Sequence, residues 1–229
     1  MKGKLCFPIC IAPGDSGYWV GTCWNLYQLT NDSCFRVEAE RCMEKMQSIY
    51  EDSILTPERG LQLFLAFGRG FEVTGERRYK HEVWNLGDRL LEDTACITSK
   101  TVEALLWGTG YKGCHCLKEA AIKWSEQQNA PIMSVDDVMA FISLYQYTNS
   151  LKYLNVVLDI DEATLMCSTS DSIYLALGYS RMSELVDDKV LLERARNLLA
   201  HLNLFSIKSF FDSYYYTSIL LELDIRRRN

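Results

Sequence analysis

Proline is nearly missing from this chain, with four residues in 229, and glycine stops at thirteen. So few turn formers argue against a β-sandwich, which needs a turn signal about every 8–12 residues. No apolar run reaches the roughly 18 residues of a membrane-spanning helix. Positive charge is also short: 24 Lys and Arg face 30 Asp and Glu, a net charge of −6. Nucleic-acid affinity comes mainly from neutralising phosphates, so a nucleic-acid partner is not expected. The basic clusters, Arg77-Arg78 with Lys80 and Arg226-Arg227-Arg228, read as solvated helix ends. There is no Gly-rich phosphate loop, serine elbow or dinucleotide fingerprint, and Gly68-x-Gly70 follows a helical pattern rather than a strand. His81, His115 and His201 stand far apart, and the adjacent Cys114-His115-Cys116 cannot wrap a tetrahedral ion. No metal or cofactor is expected. The apolar stretch Leu5 to Ala12 is broken by Pro8 and lacks a cleavage site, so it reads as mature sequence. Nine cysteines, an odd number without an export signal, predict reduced thiols and a cytoplasmic setting.

Apolar residues make up 48% of the chain and charged residues 24%, an ordinary globular balance. A chain of this length buries roughly 70–75% of its unfolded surface and needs no staples. It reads as a single domain over 1–229, with 1–14 as an extension. A weak repeat organises it. Tyr27 to Phe35, Phe71 to Tyr79 and Tyr145 to Tyr153 each place an aromatic three residues before a Thr. Asn or Gly follows the Thr, and a second aromatic lies five residues after it. Degenerate copies run from Thr109-Gly110 to Cys114 and from Val186 to Leu191. Asn or Gly takes the left-handed conformation that ends a helix, so each copy reads as a hairpin corner. Apolar spacing of three and four residues flanks the corners. Starts are marked at Thr56-Pro57-Glu58, Ser134-x-x-Asp137 and Ser170-Asp171. The pattern predicts five hairpins and a final helix, near 17–49, 57–93, 99–128, 134–160, 171–202 and 206–224. The class is all-α, about 11 helices in stacked antiparallel hairpins. Periodicity alone leaves open a toroid, incomplete or shortened, or an open solenoid.

Four segments then stand out in order: Gly17-Tyr18-Trp19-Val20-Gly21-x-x-Trp24 ending in Thr30-x-Asp32; Glu58-Arg59-Gly60-Leu61 leading to Phe67-Gly68-Arg69-Gly70-Phe71-Glu72-x-Thr74-Gly75; Ser170-Asp171-Ser172 with Ala176; and Asp212-Ser213-Tyr214-Tyr215. Together they resemble the unsaturated glucuronyl hydrolases and the related unsaturated rhamnogalacturonyl hydrolases. The resemblance implies a six-hairpin (α/α) toroid and a small-oligosaccharide substrate left by a polysaccharide lyase. It also implies hydration of a C4=C5 vinyl ether by a carboxylate acid/base. The departures lie in the chemistry. Where the family carries its catalytic Asp, this chain has Ile97-Thr98-Ser99-Lys100-Thr101, and the family's His-Asp pair is Pro57-Glu58.

Glu58, at a helix start matching the family's second-hairpin Asp, is the leading catalytic candidate. Asp137 and Asp171 follow, each at the opening of a later hairpin. Tyr18, Trp19 and Asp136 are the substrate-binding candidates, the aromatics as a wall for a sugar ring. Each has a plainer alternative: a first-turn acid stabilised by the helix dipole, or a core aromatic. Three functions remain open: a hydrolase of unsaturated uronic-acid oligosaccharides, a glycan binder that has lost turnover, and a non-catalytic solenoid that binds a protein partner. A shortened toroid could also cover apolar flanks by forming a homodimer.

Overall fold

The structure is a computed structural model, and it describes residues 16–50, 54–112, 115–128, 134–160, 165, 168–200 and 209–228. Leu5 to Ala12, Cys114, Cys167 and His201 lie outside the described residues. Among those described there is no strand and eleven helical rods. They are α1 (Ser16–Thr30), α2 (Ser33–Tyr50), α3 (57–74), α4 (Arg77–Glu92), α5 (Ser99–Lys112), α6 (His115–Gln127), α7 (Val135–Thr148), α8 (Leu151–Leu158), α9 (Thr169–Leu185), α10 (Lys189–Ala200) and α11 (Phe210–Arg228). The rod α3 is continuous but changes winding, with a π-helical stretch over Phe64–Gly68.

The corners explain the repeat. Asn31, Gly75 and Asn149 have φ of 55°, 71° and 54°. Each donates its N–H to the carbonyl of the aromatic four residues back, at 2.8 Å for Tyr27, 2.7 Å for Phe71 and 2.7 Å for Tyr145. The intervening threonine works in both directions. The hydroxyls of Thr30, Thr74 and Thr148 donate to the carbonyls of Leu26, Gly70 and Leu144. The same hydroxyls accept the N–H of Asp32, Glu76 and Ser150. One side chain thereby satisfies a helix-end carbonyl and an amide of the turn. Asp187, at φ 52°, closes the α9–α10 corner. At the Thr109 copy the hydroxyl bond to Leu105 is kept, but the helix runs on to Lys112. The fifth hairpin starts slightly earlier than expected, with Ser168 as its cap.

The rods form two layers. The first rod of each hairpin is inside: α1 buries every residue from Gly17 to Asn25, and α7 every residue from Val138 to Tyr145. The second rods are amphipathic. One buries Tyr79, Val83, Leu86 and Leu90 on α4, another Leu117, Ala121 and Trp124 on α6. Neighbouring inner rods touch in sequence, α1 with α3, α3 with α5, α5 with α7, α7 with α9 and α9 with α11. The last rod then packs on the first. That seam is stapled by Asn25, 1% exposed, whose amide donates to Ser218 at 2.9 Å and Thr217 at 3.1 Å while its oxygen accepts from Arg69 at 2.8 Å. The ring is closed, so the architecture is a toroid and not an open solenoid.

Candidate active site

Every inner rod begins at the same mouth of the ring, and their first turns meet there. Thr56 caps α3, Pro57 occupies its first position, and Glu58 follows. The Glu58 carboxylate accepts from the Tyr18 hydroxyl of α1 at 2.7 Å and from the Lys100 ammonium of α5 at 2.5 Å. Lys100 also faces Asp136 of α7, at 3.9 Å. Asp136 interacts with Tyr174 of α9, and the Tyr174 ring lies 4.0 Å from that of Tyr215 on α11. Five inner rods beyond the first thus supply a side chain each to one contiguous cluster.

The two carboxyls sit in opposite electrostatic settings. Burial pushes Glu58 up, but the Lys100 and Tyr18 hydrogen bonds outweigh it and hold the carboxyl below its ordinary range. Burial raises Asp136, the Glu58 and Asp137 charges add to this, and the more distant Lys100 only partly opposes them. Lys100 is held above its ordinary value because its two acidic neighbours overcome burial. The Tyr18 hydroxyl is raised, by burial first and then by the charges of Tyr215 and Glu58, so it stays a donor. One carboxyl raised by burial beside another held down by a cation is the arrangement that lets the two take different roles.

The other expected site residues go elsewhere. Asp137 closes a capping box with Ser134, accepting its N–H at 3.1 Å and its hydroxyl at 2.8 Å. Asp171 does the same kind of work at Ser168, whose hydroxyl donates to it at 2.8 Å. These are the plainer of the two roles weighed for them, and Asp136 takes the inward place instead. Trp19 is turned 100° or so around α1 from Tyr18, toward Glu38 of the outer rod α2. It is core. Tyr18 and Trp19 are 3% and 8% exposed, so neither offers a ring face for stacking, and Tyr18 contributes its hydroxyl.

Lys100, Tyr174 and Tyr215 were not singled out from sequence. Lys100 did leave a signal: a cation in the first turn of a helix opposes the dipole and requires an acidic partner from elsewhere. Asp212 was part of a quoted motif without a role. It is 4% exposed, caps α11 with Ser209 and accepts the Ser170 hydroxyl, tying α9 to α11 beside the cluster. Among the described residues no group of three His, Cys, Asp or Glu is placed to hold a metal ion.

No protein-family model matches the sequence, and no curated protein does. Solved structures do match. An unsaturated glucuronyl hydrolase specific for heparin superposes with a TM-score of 0.77 at 14% identity, over 95% of this chain and 88% of that one. The unsaturated glucuronyl hydrolase of Bacillus sp. GL1, described as responsible for the degradation of glycosaminoglycan, gives 0.76 at 12% identity, over 97% and 89%. The enzyme from Streptococcus agalactiae gives 0.71 at 11% identity, over 90% and 79%. The chain therefore has the helical toroid fold of the unsaturated glucuronyl hydrolases, as the four sequence segments implied.

Proposed function

We propose that the protein is a glycoside hydrolase acting on small oligosaccharides that end in an unsaturated uronic acid. The observation that carries this is the pair of carboxyls facing one ammonium at the inner mouth, Glu58 at 2.5 Å and Asp136 at 3.9 Å from Lys100. In the reaction the protonated Asp136 gives its proton to C4 of the vinyl ether, and the electron pair of the C4=C5 bond forms the new C–H bond. Water adds at C5 and returns a proton to the Asp136 carboxylate. The resulting hemiketal opens, and the glycosidic bond breaks. Glu58 stays ionised and fixes Lys100, whose ammonium has three donors and keeps one for the sugar carboxylate. A positioned acid of this kind is worth about 10²–10⁴ in rate. The six inner N-termini add a positive field at the same mouth, which suits an anionic sugar.

A second reading has its own support. The Glu58 carboxylate is tied to both Lys100 and Tyr18, which suits a group that positions a sugar more than one that moves a proton. The closed ring removes the concave open face that a solenoid would present to a protein partner. One domain over 1–229 and a homodimer remain part of this proposal. So does a cytoplasmic setting, favoured by the free thiols of Cys23, Cys34, Cys42 and Cys96 and opposed by the disulfide-bonded Cys116. No helix among the described residues is long and apolar enough to cross a membrane.

The test uses purified protein and a panel of lyase-generated disaccharides, followed by loss of the double-bond ultraviolet absorbance. Asp136→Asn and Glu58→Gln should each slow that loss at least about 10²-fold. Absorbance retained by the wild type across the whole panel rejects hydration. A thermal shift on ligand addition with no turnover selects the binding reading.

A further inference from the structure

The toroid has a cavity on the other side of Tyr214 from Glu58. It holds about 160 Å³ and is lined by Asn25 of α1, Arg69 and Glu72 late in α3, Arg181 late in α9, Glu103 and Tyr214 in the second turns of α5 and α11, and Glu222 of α11. Tyr214 separates it from the first mouth. The Tyr214 ring lies across Gly21, where a Cβ would meet it at 2.6 Å, and its other neighbours are Tyr18 and Tyr215, with centroids at 6.4 and 4.9 Å. The two compartments are therefore distinct.

We infer that this far cavity binds a hexose-sized amino sugar, a polyol carrying one free ammonium group. Size is the first argument. A water takes about 30 Å³, so the cavity has room for about five waters, or one pyranose, and falls below the 300–1,000 Å³ typical of drug-sized ligands. Chemistry is the second. The walls offer both donors and acceptors, held in place before any ligand arrives. Arg69 is fixed by Asn25 at 2.8 Å, by Glu72 at 2.8 Å and by Gln28. Arg181 is fixed by Glu103 at 2.9 Å and Glu222 at 3.1 Å through two of its three nitrogens. Glu72 is further oriented by the Trp107 indole at 3.2 Å. Phe64 and Leu65 supply an apolar floor for the C–H face of a ring. They also open the π-helical stretch of α3, a widening that recurs at binding sites. Charge is the third. Two guanidiniums, Arg69 and Arg181, face three carboxylates, Glu72, Glu103 and Glu222, a surplus of one negative charge. That balance repels a uronic acid and favours one positive charge. The site is thus matched to the opposite kind of sugar from the one proposed for the first mouth, and it does not depend on that proposal.

The test titrates the full chain with glucosamine, glucose and glucuronate, read by ligand-observed NMR and by thermal shift. The expected order is glucosamine tightest, glucose at least about fivefold weaker, and glucuronate without response at this site. Glu72→Gln keeps an acceptor for Trp107 and removes one charge, and Glu72 is 39% exposed, so the variant folds. It should cut glucosamine affinity about fivefold and leave glucose within twofold. Glu58→Gln, at the first mouth, should change neither. Absence of glucosamine binding at tens of millimolar overturns the inference. So does equal affinity for the three sugars, or a glucosamine response abolished by Glu58→Gln and untouched by Glu72→Gln.

Discussion

A methyl group on Gly17 tests the closeness of α1 and α3, on which the whole first mouth depends. That methyl would lie 2.4 Å from the Gln62 Cβ, 2.5 Å from its carbonyl oxygen and 2.6 Å from its Cα. Carbon atoms rest at about 3.5–4.0 Å, so the rods must part by about 1 Å. Two of the three obstacles are backbone and cannot rotate away. Overpacking of this kind costs about 1–3 kcal/mol, and alanine in a helix recovers about 0.5–1 kcal/mol relative to glycine. The net for Gly17→Ala is a loss of up to about 2.5 kcal/mol, or up to about 10 °C in Tm at the 2–4 °C per kcal/mol of a chain this size. Gly110→Ala is the matched control. It is exposed on α5, and the nearest atom to its new methyl is Tyr147 Cε1 at 3.8 Å. There only the helix gain of about 0.5–1 kcal/mol remains, so Tm should rise by about 1–4 °C. Circular-dichroism melts at neutral pH read both variants. The signs must differ. If Gly17→Ala melts at or above the wild type, the rods are not in contact as described. Because Tyr18 follows Gly17 directly, the same separation stretches its 2.7 Å bond to Glu58.

Three further outcomes follow from the site and the corners. Asp136→Asn should melt above the wild type at pH 7 while losing turnover. The folded carboxyl is raised by burial, so its relative stability is complete below the unfolded value of about 3.9 and is lost as pH rises through the folded value; the advantage of Asn should vanish near pH 4. Lys100→Met strips both carboxyls of their cation, and since Glu58 is 40% exposed the cost should stay near 1 kcal/mol at pH 7 and shrink as pH falls through the carboxylate range; a deficit that grows on acidification contradicts the pairing. Thr148→Ala removes the bonds to Leu144 and Ser150 and should cost about 1 kcal/mol, while Asn149→Gly is tolerated and Asn149→Val costs about 1–2 kcal/mol in urea melts.

The corners were legible in sequence because their cause is local. A Thr followed by Asn or Gly settles its own hydrogen bonds within six residues, so the pattern survives wherever the hairpin does. Helix starts at Thr56 and Ser134 were legible for the same reason. Ring closure was not, since it depends on Asn25 meeting Ser218 across 193 positions. The choice between Asp136 and Asp137 was hidden for a geometric reason. Adjacent helical residues point about 100° apart, so one of the two caps Ser134 and the other faces Lys100. Trp19 and Tyr18 divided in the same way, and each pair needed the rotation of its rod about the ring axis.

That rotation and the shared direction of the inner rods also give the toroid a polarity that no single residue carries. Tyr18, Glu58, Lys100, Asp136, Tyr174 and Tyr215 all come from the early turns of their rods, while Asn25, Arg69, Arg181 and Ser218 come from later ones. The inner helices therefore run parallel, and their dipoles add. The mouth of first turns carries six partial positive charges, and there the half-buried ammonium of Lys100 stands among acids that hold it against the field. Across Tyr214 from it, Glu72, Glu103 and Glu222 stand against Arg69 and Arg181. A variant that alters charge at Glu58 should leave the ligand preference beyond Tyr214 unmoved, because the Tyr214 ring, packed on Gly21, Tyr18 and Tyr215, stands between the two groups.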